Sequence, residues 1–425
     1  MTVIAPATRG TTNDAEDLTT RTFMGYRRAY SGRAGVRNCV LIIPSVVCSN
    51  TVVQRIAQQV PECVFVTHQH GCSQVGADVE QTRATLIGYA TNPNVAGVLV
   101  VSLGCETIEG DRVAQMIAET GQTVEFLGIQ ESGGIKATVA LGIERCHDLL
   151  ERASRITREA VPLSELILAV QCGGSDAFSG ITANPALGIT SDMLIAAGGT
   201  VMLAEVPECL GAEHLLAARA RTPAVGEQLV AAVRRYEEDA LRMGVDLNKG
   251  NPAPGNIKGG LTTIEEKSIG AMKKGGSTPL NEVLAYAQPP TQRGLVIMDT
   301  PGNDIESVTG NLAGMAQMVV FTTGRGSVTG AAIAPVIKVA TNTPMYEKMS
   351  DNMDLNAGTV VDGTETLQDV GRRIFEKIVS VASGEQTRSE EWGCNEFGIN
   401  RIGPSLCVRA EDCGLGLRTE DREGA

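Results

Sequence analysis

The chain has 425 residues and a formal net charge of -13, with 43% hydrophobic, 20% charged and only 3% aromatic residues. That length asks for more than one hydrophobic core, and so negative a field repels phosphate backbones, which argues against nucleic acid as a partner. No apolar run reaches membrane-spanning length and the N-terminal stretch lacks the basic and apolar regions of a leader, so no membrane and a cytoplasmic location are expected.

Residues 1–22 are polar and aperiodic and read as a disordered tail. From Asn38 onwards apolar runs recur at 38–44, 62–67, 96–102 and 123–129, separated by helix-compatible segments at 51–59, 78–90 and 111–120. A further helical segment covers 137–160. Continuous apolar strands alternating with amphipathic helices predict a parallel sheet covered on both faces. A second unit follows, with strand-like runs at 165–171, 199–205, 294–300, 317–323 and 335–340. The expected class is α/β, with a parallel Rossmann-like sheet domain (23–160) followed by a second α/β domain carrying the chemistry (161–415).

Ligands of such sheets bind beyond the carboxyl ends of the strands. The run at 62–67 leads into His68, His70 and Cys72, and 96–102 into Cys105 and Glu106. The run 123–129 leads into Gln130 and Glu131, and 165–171 into Cys172, Gly173, Gly174, Ser175 and Asp176. Cys39, Cys63, Cys146 and Cys209 read as small buried hydrophobes, and the eleven Cys, none in a CxxC pair, as reduced thiols. His147 falls within a helical pattern, and His214, following Glu205 and Glu208, has no assigned role. After 317–323 come Thr323, Arg325 and Ser327 in a Gly-rich loop, where Arg325 can grip a carboxylate. Of Lys258, Lys267, Lys273 and Lys274, only Lys267 is taken as a site candidate, because Glu- and Lys-bearing helices usually present a solvated face. No GxGxxG follows the first strand, which disfavours a nicotinamide-dependent dehydrogenase.

The blocks HQHGCSQ, SLGCE, QESGGIKAT, QCGGSDAFSGITANPALG, NPAPGNIKGGLTTIEEKS, FTTGRGS, IKVATNT and NMDLNAG together resemble the UxaA family of altronate and galactarate dehydratases over roughly residues 23 to 410. The resemblance implies a hydro-lyase that eliminates water from an anionic sugar acid to give a 2-keto-3-deoxy acid, with sulfolactate sulfo-lyase as the related alternative and a non-catalytic sugar-acid-binding protein as a third reading. It also implies iron. Many relatives carry a small SAF domain in the same chain; its absence here suggests a separate small SAF-domain subunit, and a homo-oligomer is expected. The metal is placed near Cys72, Cys105, Cys172, His68 and His70, as Fe²⁺ or, alternatively, as a [4Fe–4S] cluster on the three thiolates. Glu106 or Asp176 is the expected base, with His68 as a further ligand or acid and Ser175 beside them. Arg325, Ser327, Thr323, Gly173, Gly174 and Lys267 are expected to hold the substrate.

Overall fold

The computed structural model describes residues 17–242, 244, 247 and 251–402. Two parallel sheets dominate. The smaller joins β3 (Cys39–Pro44), β4 (Val64–Phe65), β5 (Val95–Ser102) and β6 (Val124–Gly128) in the order β4-β3-β5-β6. The larger joins β8 (Ile167–Cys172), β9 (Thr200–Leu203), β10 (Leu280–Leu284), β11 (Gly294–Met298), β12 (Met318–Thr323), β13 (Val336–Ala340) and β14 (Leu355–Asn356) in the order β10-β11-β9-β8-β12-β13-β14. Every pairing in both is parallel.

The apolar runs form strands because each residue finds a helix on its side of the sheet. Leu168, Val170, Ile337 and Val339 face a core completed by helices 183–196, 223–242 and 367–382. Their neighbours Ile167, Ala169, Val319 and Phe321 face the opposite core, which they share with Leu41, Ile43, Val98 and Val100 of the smaller sheet. Helices 77–90 and 304–313 pack within that shared layer. Val40, Ile42 and Leu99 point the other way, onto helices 50–59 and 135–154. Five layers result, helices alternating with sheets. Each fully buried aliphatic side chain contributes about 1.5–3 kcal/mol against exposure, and alternation along each strand directs that gain into two cores at once.

Polar stitching fixes the two sheets against each other. Asn94 Nδ2 donates to the carbonyls of Gln317 (2.7 Å) and Ile333 (2.9 Å), while its Oδ1 accepts from Val36 N at 2.8 Å.

The tail expectation for residues 1–16 lies outside the described residues. Residues 17–22 are ordered: Asp17 caps a 3-10 turn at Leu18–Thr20, and Thr22 opens β1 (Thr22–Arg27). Strand β1 pairs antiparallel with β2 (Ala34–Gly35) and β7 (Arg158–Pro162). The helix expected over 137–160 therefore stops at Ser154, because Arg158–Ala160 are taken up by β1. Strand β7 also runs across the boundary drawn between 160 and 161.

Candidate active site

From β8 the chain crosses first to β9 on one side and later to β12 on the other, so the carboxyl ends of β8 and β12 flank the point where the winding reverses. A crevice is expected there. Gly174 O accepts from both Gly324 N (3.2 Å) and Arg325 N (3.0 Å), joining the two strand-end loops. The segment 251–260 closes over them, with Asn256 Nδ2 donating to Ser175 O at 3.0 Å and Ala177 N to Gly259 O at 3.0 Å.

Below these loops lies a buried polar cluster. Cys172 ends β8, and its thiol lies 3.1 Å from Glu208 Oε2. Lys274 Nζ lies 2.8 Å from Cys172 Sγ, 3.5 Å from Glu205 Oε2 and 3.7 Å from Glu208 Oε2. Lys267 Nζ meets Glu208 Oε1 at 3.2 Å and Asn251 Oδ1 at 3.2 Å. Ser175 Oγ stands 3.8 Å from Cys172 Sγ.

Local sequence sets these positions. Thr263 caps the helix Ile264–Met272 through Glu266 N, which presents Lys267 one turn in. The turn after that helix is turned inward: Ser191 Oγ donates to Lys274 O at 2.6 Å, and Gly188 leaves room for Lys273 O, which a Cβ there would meet at 2.2 Å. Glu205 holds a left-handed backbone, φ 64° and ψ 65°, a conformation that costs a non-glycine residue of order 1–3 kcal/mol. It brings Glu205 over Glu208, with Glu208 N donating to Glu205 O at 2.8 Å.

The electrostatics separate the groups. Burial, and then Glu208, push Glu205 well above the usual carboxylate range. Burial acts the same way on Glu208, but Lys267 and Lys274 outweigh it and hold Glu208 ionised. Burial works against the charge of Lys274, yet Cys172, Glu208 and Glu205 prevail and keep it protonated. Cys172 is pushed up by burial and then by Glu208, which favours the thiol. Two ammonium groups thus face one carboxylate held ionised and one held protonated.

The sequence candidates scatter around this cluster. Lys267 and Cys172 belong to it; Lys274, set aside as solvated, is its centre, and Glu205 and Glu208 had no assigned role. Asp176 is not free to act as a base. Its carboxylate accepts from Ser179 N and Oγ (2.9 Å each), Thr341 Oγ1 (2.9 Å) and Asn342 Nδ2 (3.0 Å), which ties the loops after β8 and β13 together. Glu106 is similarly engaged: it accepts from Ser45 Oγ (2.6 Å), Gly104 N (2.7 Å) and Cys105 N (2.9 Å), bracing the loops of the smaller sheet. Thr323 Oγ1 accepts from Gly326 N, and Ser327 Oγ donates to Thr329 Oγ1, so both shape the Gly-rich loop. Arg325 is exposed on that loop and makes no ion pair among the described residues.

The expected metal set does not assemble. Among the described residues, the one group of three or more His, Cys, Asp or Glu whose ligand atoms lie mutually within 4.8 Å is Cys172, Glu205 and Glu208. Cys72 and Cys105 are exposed on loops of the smaller sheet. His68 has no lone pair to offer, since Nε2 donates to Pro44 O at 2.8 Å and Nδ1 accepts from His70 N at 3.1 Å. His70 spends Nε2 on Ile399 O at 3.0 Å. A thiolate and two carboxylates are donors that Fe²⁺ accepts. The ammonium of Lys274, however, fills the space among them, and the cavity beside Glu205 and Lys274 measures about 10 Å³, one water's worth. As folded, the cluster fits an ammonium rather than a divalent ion or a cubane.

Fold and site define a doubly wound α/β protein with proton-bearing groups gathered at the sheet's switch point. Residues 163–405 match the family described as D-galactarate/altronate dehydratase, C-terminal, and residues 25–154 match D-galactarate dehydratase/altronate hydrolase, second domain. An altronate dehydratase of Bacillus subtilis (strain 168) is 38% identical over 397 residues, covering 91% of this chain and 79% of its own length. A galactarate dehydratase (L-threo-forming) of Escherichia coli (strain K12) is 38% identical, covering 90% of this chain and 77% of its own length. A (2R)-sulfolactate sulfo-lyase subunit beta of Chromohalobacter salexigens is 37% identical, covering 91% of this chain and 99% of its own length. The chain belongs to the D-galactarate/altronate dehydratase family.

Proposed function

We propose that this chain is the catalytic subunit of a sugar-acid dehydratase, a carbon–oxygen lyase that eliminates water from an altronate-like or galactarate-like acid to give a 2-keto-3-deoxy acid. The altronate and galactarate dehydratases among its relatives support the reaction class. The observation that carries it is the pair Lys274 and Lys267 beside Cys172 and Glu208 at the strand ends. A proton alpha to a carboxylate is weakly acidic, and its removal piles charge onto the carboxylate oxygens. Ammonium groups already fixed in a dry pocket stabilise that charge without reorganising. Arg325, exposed on the neighbouring loop, is our candidate for the far end of the substrate.

A second reading rests on coverage. The sulfo-lyase subunit is matched along 99% of its length, whereas the two dehydratases extend well beyond the match. That relative is named as one subunit of its enzyme, which supports a partner chain here, and the match along nearly its whole length keeps a sulfonated hydroxy acid in play as substrate. The same proton abstraction would then expel sulfite instead of hydroxide.

One assay separates the readings. The chain, alone and with a co-expressed small subunit, is offered a panel of aldonates, aldarates and sulfolactate, and keto acid and sulfite are quantified. Keto acid from a sugar acid supports the dehydratase; sulfite from sulfolactate alone overturns it in favour of the sulfo-lyase; binding without product overturns both.

A further inference from the structure

We infer that Asp304, a residue with no assigned role in the sequence reading, is the group that takes the alpha proton from the substrate. The inference rests on the dehydratase reading and names its base. Asp304 is the first residue of the helix Asp304–Ala313, fixed there by Asn303, whose side chain accepts from Ile305 N and Glu306 N. Its carboxyl group lies against Gly173 in the loop that follows Cys172. A Cβ at residue 173 would stand 2.3 Å from Asp304 Oδ2 and 2.7 Å from Oδ1, so only glycine leaves this carboxylate its place.

A chain of hydrogen bonds orients it. Glu205 N donates to Thr300 Oγ1 at 2.7 Å, which leaves the Thr300 hydroxyl to donate to Ser307 Oγ at 2.9 Å. Ser307 Oγ then donates to Gln171 Oε1 at 3.0 Å. The Gln171 amide is thereby turned so that Nε2 donates to Asp304 Oδ1 at 3.3 Å. Among the described residues Oδ2 accepts no hydrogen bond. Asp304 is therefore held by one oxygen and free at the other, whereas Asp176 and Glu106 have both oxygens engaged.

The surrounding charges suit the task. Glu208, Lys274 and Lys267 act on Asp304 through their charges, and Asp304 acts in turn on Glu205. Burial, and then Glu208, raise its pKa to about 6, while Glu208 itself is held down by the two lysines. Neighbouring carboxyls pushed apart in this way take different roles, and a base poised near the working pH transfers protons best. In the step, the C2 proton passes to Asp304 Oδ2 and the C–H electron pair becomes the C2–C3 double bond. The C3–O bond breaks with its pair, and the departing hydroxyl takes the proton back from Asp304 and leaves as water. The carboxylate is restored and the enol tautomerises to the 2-keto acid.

The test compares wild type, Asp304→Asn and Asp304→Glu for keto-acid formation from the best sugar acid of the panel, with pH profiles, melting temperatures and substrate titration by calorimetry. Asp304→Asn is expected to keep its melting temperature and bind substrate within a few-fold of wild type, yet lose about 10²–10⁴ in kcat. Asp304→Glu is expected to recover part of the rate, with the acidic limb near pH 6 displaced. An Asp304→Asn variant that keeps a tenth or more of the rate, or that loses rate only together with binding or folding, overturns the assignment while leaving the dehydratase reading intact. A wild type that turns over no sugar acid overturns both.

Discussion

Lys274 Nζ and Cys172 Sγ lie 2.8 Å apart in the interior, joining residues 102 positions apart in sequence. The ammonium is the hub of the site: it compensates the buried carboxyl groups of Glu205 and Glu208 from one side, while Lys267 does so from the other. Removing one partner from such a network leaves charge stranded without water or a counter-ion.

Lys274→Met should accordingly destabilise the chain by about 3–5 kcal/mol, the range for breaking a buried ion pair from one side. Urea titration at pH 7 measures it. A loss below about 1 kcal/mol would show that the carboxyl groups are not in fact dependent on this lysine.

A second substitution at the same position, Lys274→Ala, bears on metals. With the ammonium gone, the Cys172 thiol and the carboxyl groups of Glu205 and Glu208, all within 4.8 Å of one another, can exchange their protons for a metal ion. Lys274→Ala should therefore bind Co²⁺, seen as sulfur-to-metal charge-transfer absorption, and regain stability as it does so. Wild type should show no such band from this cluster. Equal bands in both proteins would mean that the ammonium yields its place readily.

Gly173→Ala tests the fit of Asp304 from the opposite side. Gly173 has no left-handed backbone to protect, and the added methyl meets a carboxylate able to swing away, so the fold should persist. The displaced carboxylate should cost about 10²-fold in kcat, as sub-ångström to ångström misplacement does. Unchanged turnover in a folded Gly173→Ala protein would contradict the packing described.

His68 makes stability fall in mild acid. Burial pushes its pKa from 6.5 down to about 4, so the unfolded chain takes up the proton first. The native state pays no penalty above pH 6.5 and loses stability as the pH falls from there towards 4. Between pH 7 and pH 5 this one residue should account for about 2 kcal/mol. In His68→Gln the amide can still donate to Pro44 O and accept from His70 N but does not titrate; its denaturation midpoint should vary less across that interval than that of wild type. Identical pH dependence would remove His68 from the account.

What the sequence determined by itself was the class of fold and most of the strands. Runs such as AGVLVVS and QMVVFTT are apolar on both faces, and a strand with two greasy faces has to lie between two layers of helix. It also marked Cys172, through its glycine-flanked strand end, and Lys267, out of the lysines of a Glu- and Lys-bearing stretch. Antiparallel β1, β2 and β7 escaped because their partners are remote: β1 becomes a strand through pairing with residues 158–162. The site's centre escaped for a related reason. Nothing near Lys274 distinguishes it from Lys273; the first is buried and the second is not because Gly188 and Ser191 of another helix draw the turn inward. Likewise Asp176 and Glu106 look like free acids in the sequence and are saturated with hydrogen bonds in the fold, while Asp304 looks like an ordinary first-turn aspartate. Whether a carboxyl group braces loops or moves protons depends on how many donors surround it and how much water is excluded, and for Asp176 and Asp304 deciding donors, Thr341 and Gln171, lie 165 and 133 residues away.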